Sequence, residues 1–176
     1  MTFPIVNGSN LLREKLTLPQ DFAGKYNLLF IAFQQWHQEE VNSWIPLAES
    51  YEALFAGLVY YELPTIRALN AFSKFFINEG MRAGIPNPKS RERTITLYLE
   101  KDDFRAAMNL GDEEHIFALL IDRQGEDLWR ARGVHSQSGE AELLKCSVVK
   151  NKKLTPNPKT FYELNCQLWE FQLNGC

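Results

Sequence analysis

The feature that most constrains this chain is the passage from a wholly apolar run into a helix start between residues 27 and 46. Leu28, Leu29, Phe30, Ile31, Ala32 and Phe33 follow one another without a polar break. Such a short run bounded by polar residues reads as a buried strand. It leads directly into Trp36-His37-Gln38-Glu39-Glu40, which opens a helix carrying Val41, Trp44, Ile45, Ala48 and Tyr51 at helical spacing, with Pro46 as its expected kink.

The same alternation continues along the chain. Residues 57–63 read as a second strand, followed by a helix with Ala68, Phe72, Phe75, Phe76 and Met81 as its apolar positions, expected to pack in the core. Pro64 is expected at the first position of that helix, where its missing N–H costs nothing. Residues 84–90 break it. Residues 94–99 alternate and include the β-branched Thr94, Ile95 and Thr96, as in a third strand. Asp102 or Asp103 is expected to cap a short helix holding Phe104, Ala107 and Met108, which Gly111 ends. Residues 116–130 contain an apolar strand, an Asp122-x-x-Gly125 turn and a second strand, hence a hairpin. Ser136 or Ser138 caps a last helix. Residues 1–15 are a weakly specified lead-in with an Asn7-Gly8 turn signal, and Lys89, Arg91 and Arg93 read as a solvated basic loop. The alternation of strands and helices is the pattern of an α/β fold.

The chain of 176 residues carries a net charge of −3, which leaves no electrostatic footprint for nucleic acid. No apolar run approaches the length of a membrane span, so no membrane insertion is expected. The Met1-Thr2-Phe3-Pro4 start lacks the regions of a signal peptide, which points to the cytoplasm. Cys146, Cys166 and Cys176 are odd in number, lie late in the chain and have no Cys-x-x-Cys spacing. That argues against both a disulfide framework and a zinc site. The expected organisation is one domain over residues 1–150. Residues 151–176 then form a linker and an extension that docks on the domain or on a second copy, residues 160–173 reading as a bulged strand.

Residues 29–44, 94–99 and 116–133 together resemble the peroxiredoxin-like branch of the thioredoxin-like superfamily. In style they are similar to the mitochondrial ATP-synthase assembly-factor family, itself degenerate. The resemblance rests on Phe33 and Trp36 at the start of the first helix, on the Phe117-to-Gly125 hairpin with its Ile121-Asp122, and on the hairpin end Trp129-Arg130-Ala131. It covers roughly residues 16–148 and implies a central mixed sheet flanked by helices, with a C-terminal extension.

Two departures from the active thioredoxin pattern matter. A thioredoxin reads Trp-Cys-x-x-Cys at the helix start, whereas here His37 and Glu40 stand at the two cysteine positions. Disulfide exchange needs a thiolate, which imidazole and carboxylate cannot replace. The proline that thiol-redox members place before the hairpin is also missing, since Glu114-His115-Ile116-Phe117 occupies that stretch.

The implied geometry brings Trp36, His37 and Glu40 close to Glu113, Glu114 and His115 as a polar cluster. Glu113 or Glu114 is expected to approach His37 to hydrogen-bonding range and accept from its ring. Two histidines with carboxylates could hold a divalent metal, but no metal, cofactor or catalytic residue is assigned. The best reading is a redox-inactive binding or assembly module with an unknown protein partner and a possible homodimer. The alternative is a cytoplasmic peroxiredoxin-like enzyme using non-thiol residues or a C-terminal cysteine.

Overall fold

A computed structural model describes residues 1–68 and 70–146 of the chain. The strands are β1 (Val6–Asn10), β2 (Lys15–Leu18), β3 (Tyr26–Ala32), β4 (Leu58–Arg67), β5 (Ile95–Leu99), β6 (Phe117–Asp122) and β7 (Asp127–Arg132). The helices are α1 (Gln38–Leu54), preceded by a 3-10 turn over Gln35–His37, α2 (Ala71–Gly84), α3 (Pro88–Arg93), α4 (Lys101–Met108) and α5 (Gln137–Lys145).

Among the described residues the strands form one mixed seven-stranded sheet in the order β2-β1-β5-β4-β3-β6-β7. β3 runs parallel to β4 and antiparallel to β6, with Leu28 opposite both Tyr60 and Leu120. Its period of two splits the core. Leu28 and Phe30 enter the layer with Trp44, Ala48, Tyr51 and Leu143, while Leu29 and Ile31 enter the layer with Phe3, Phe104 and Met108. Burial on both faces explains the unbroken apolar run. Trp44 anchors the first layer, its indole N–H donating to the Gly133 carbonyl at 2.9 Å.

Several boundaries differ from the sequence reading. The Asn7-Gly8 signal lies inside β1, because Gly8 sits against Ile95 and Leu97 of β5 where no side chain fits. The turn falls further on, with Arg13 in the left-handed region at φ 69°. Pro64 is not a helix start but a residue of β4, opposite Ala32 of β3. α2 begins only at Ala71, with Asn70 accepting the Ser73 N–H at 2.9 Å. α4 follows Glu100 without a side-chain cap, leaving Asp102 and Asp103 in its first turn, and ends at the left-handed Asn109 rather than Gly111. Ser136 does cap α5, its hydroxyl accepting the Gly139 N–H at 3.1 Å.

The largest difference concerns the aromatic face of α2. Phe72, Phe75 and Phe76 are 73%, 54% and 58% exposed and lie outside the core. The basic stretch is not a solvated loop either. Arg93 pairs with Glu52 at 2.7 Å, and Arg91 donates to the carbonyls of Ile85 and Arg82 at 2.6 and 3.0 Å. The expected linker and extension over residues 151–176 lie outside the described residues.

The approach to β3 depends on a tight local lock. Buried Asn27 accepts the Gly24 N–H at 3.0 Å and donates to the Gly24 carbonyl at 3.1 Å. A Cβ at Gly24 would collide with the Tyr26 carbonyl and lie 2.5 Å from Asn27 Oδ1. Gly24→Ala is therefore expected to cost about 1–3 kcal/mol in urea unfolding. Gly111→Ala, whose Cβ would meet nothing within 4 Å, is the control and should be near neutral.

Candidate functional site

The start of α1 is placed by β3, which ends at Ala32 and hands the chain through Phe33 and Gln34 to the 3-10 turn. Trp36 points outward and is 69% exposed, whereas His37, the next residue, is 0% exposed. The two rings meet edge to face at 5.9 Å. His37 Nδ1 accepts the Phe33 N–H at 3.2 Å. That contact assigns the ring proton to Nε2, and Nε2 has no hydrogen-bond partner among the described residues. His37 is thus a buried brace for the end of β3.

Glu40, one turn later, reaches the loop before β6. Its Oε2 accepts the Ile116 N–H at 2.9 Å and its Oε1 accepts from His115 Nδ1 at 2.6 Å. Burial alone would raise its pKa, but the two hydrogen bonds and the adjacent His115 outweigh it, and the carboxyl is held below its ordinary value. Both oxygens are engaged, so Glu40 ties α1 to the loop.

The expected cluster assembles only in part. Glu40 and His115 meet directly, but His37 bonds to neither Glu113 nor Glu114. Glu113 is claimed by cations of α4: Lys101 pairs with it, Arg105 stands 3.4 Å away, and Gln34 donates to it at 3.0 Å. Glu114 turns outward to Arg132 at 3.5 Å. Opposite charges on α4 and β7 outcompete a histidine already committed to the backbone. No group of three or more metal-ligating side chains occurs among the described residues.

Two contributors escaped the sequence reading. Lys101 donates to the Phe33 carbonyl at 3.3 Å as well as pairing with Glu113, so it braces the same strand end from the other layer. Glu62 of β4 accepts from Gln38 at 3.3 Å beside the helix start, and burial raises its pKa. Neither has a local signal, because both meet the site only through strand pairing and layer packing.

This sheet order, with α1 following a central strand and a hairpin closing one side, is the thioredoxin-like fold. No family model and no curated protein matches the chain. Solved structures do. The thioredoxin domain of a thiol-disulfide oxidoreductase from Bacteroides vulgatus aligns at TM-score 0.52 and 19% identity over 82% of this chain and 94% of its own. A pneumococcal exposed lipoprotein thioredoxin from Streptococcus pneumoniae aligns at 0.53 and 11% over 81% and 98%. A thiol:disulfide interchange protein from a Bacteroides species aligns at 0.52 and 16% over 86% and 90%. These likenesses show the fold. Among the described residues no helix is long and apolar enough to cross a membrane.

Glu40→Gln should lower stability by about 1–3 kcal/mol at pH 7 in urea unfolding, because a charge-assisted pair of bonds is lost. Since the folded carboxyl titrates below its ordinary 4.5, its contribution is complete above that value and disappears as pH falls through the lowered one. The gap between wild type and Glu40→Gln is therefore expected to close as the pH is lowered through the depressed titration of Glu40.

Proposed function

We propose that this protein is a redox-inactive thioredoxin-fold module that acts by binding another protein, in the manner of a degenerate peroxiredoxin-like assembly factor. The observation that carries the reading is the fate of the two thiol positions. His37 is sealed beneath the surface, and Glu40 is bonded through both oxygens to the loop before β6. Neither residue supplies a nucleophile that could form a mixed disulfide. What this end of the domain offers a partner is Trp36, a large aromatic at the head of α1. Exposed tryptophans of that kind are enriched among residues that anchor protein interfaces.

The remaining parts of the proposal follow the sequence reading: one domain over residues 1–150, a cytoplasmic location and a possible homodimer. Cys146 is buried, its Sγ 3.2 Å from the Leu128 carbonyl at the far end of α5, and offers the candidate site no ready thiol.

Purified protein with a thiol donor is expected to reduce neither insulin disulfides nor hydrogen peroxide above background. Turnover that is abolished by Cys146→Ser, Cys166→Ser or Cys176→Ser would overturn the reading in favour of an enzyme. Trp36→Ala should change unfolding free energy by no more than about 0.5 kcal/mol, as for a surface residue. The same variant should lose the protein captured by wild type in a pull-down from the source organism. Equal capture by both would remove Trp36 from the interface.

A further inference from the structure

Helix α2 turns its largest apolar side chains outward. Its polar residues Lys74 and Asn78 face the sheet: the Tyr98 hydroxyl of β5 lies 2.9 Å from Asn78 Oδ1 and 3.3 Å from the Lys74 carbonyl, and the Lys74 ammonium sits 4.9 Å over the Tyr98 ring. Phe72, Phe75 and Phe76, the residues that an amphipathic helix would bury, form an exposed ridge instead. Their rings stack edge to face, 4.7 Å apart for Phe72 and Phe76 and 5.8 Å for Phe75 and Phe76. A contiguous aromatic patch of this kind marks a covered surface. One turn further along α2, a cavity of about 200 Å³ opens against the β1–β2 turn. It is lined by Arg13, Lys15 and Arg82, with Glu79 bridged between Arg13 at 2.9 Å and Arg82 at 3.7 Å. The cavity therefore carries a surplus of positive charge.

We propose that residues 160–173 of this same chain cover the ridge, their large apolar side chains meeting the phenylalanines and their two acids, Glu163 and Glu170, complementing the basic cavity. Three observations select this occupant. The first is chemistry: that stretch is rich in large apolar side chains, and its charged residues are two acids and no base.

The second is area. Three rings of about 200 Å² each, somewhat over half exposed, present roughly 350 Å². Two such ridges face to face would bury about 700 Å², well below the roughly 1,200 Å² of a specific protein–protein interface. A segment tethered to its own domain needs no such area, because its effective concentration is already high.

The third is reach. α5 packs on β7, and the ridge stands beside β5, four strand positions away across the sheet. That is about 19 Å at 4.8 Å per strand. Residues 147–159 alone can extend over about 40 Å.

Hydrogen exchange read by mass spectrometry on the full chain tests the contact from both sides. In wild type, amides of residues 160–173 are expected to exchange at least about tenfold more slowly than a free peptide. Phe72→Ser/Phe75→Ser/Phe76→Ser should release that protection while the amides of β3 and β6 keep theirs. Leu164→Ser/Leu168→Ser/Trp169→Ser should in turn speed exchange in α2, and this second variant decides the matter if the first fails to fold. Free-peptide exchange of residues 160–173 in wild type, or no response of either segment to the other's variant, would overturn the proposal. So would a wild-type dimer that the ridge variant converts to monomer, which would assign the ridge to a second copy.

Discussion

Burial of β3 on both faces is the constraint from which the rest of the architecture follows. A strand paired parallel to β4 on one side and antiparallel to β6 on the other must be covered above and below. Leu28 and Phe30 call for the Trp44 face of α1, and Leu29 and Ile31 call for Phe3, Phe104 and Met108. The helices are held where those side chains need them, and the helix start that follows β3 inherits a fixed position at the end of the sheet. The candidate site is a by-product of that placement.

The strand end is then braced from three directions. His37 accepts the Phe33 N–H from within, Lys101 reaches the Phe33 carbonyl from α4, and Glu40 fastens the first turn of α1 to the backbone before β6. Each of these bonds holds the corner where the sheet hands the chain to α1. A carboxylate that accepts two hydrogen bonds, one from a backbone amide, is stabilised in its charged form and gains nothing by moving. The arrangement holds this corner in place and leaves Trp36 as the large side chain that faces outward there.

α2 shows the opposite balance. Its polar residues find good partners inward, on Tyr98, and its phenylalanines are left out. Exposed apolar surface of this extent marks an interaction site.

The strand β3, the helix α1, the strand β5 and the Asp122–Gly125 hairpin were legible in the sequence, because each is decided by neighbours along the chain: a period of two, a period of 3.6, or a turn residue. That no Cys-x-x-Cys pair stands at residues 37 and 40 was legible from the letters alone. Tertiary structure alone decided the rest. Pro64 lies in a strand because β3 offers it a parallel partner, and Gly8 lies in a strand because β5 passes too close for a side chain. His37 is buried and Glu113 is lost to Lys101 because residues far apart in sequence compete for the same partners once the sheet is assembled. The α2 phenylalanines have helical spacing, but spacing states only that they share a face. Which way that face turns depends on the energy of packing it against Tyr98 and the sheet, a quantity that no local pattern contains.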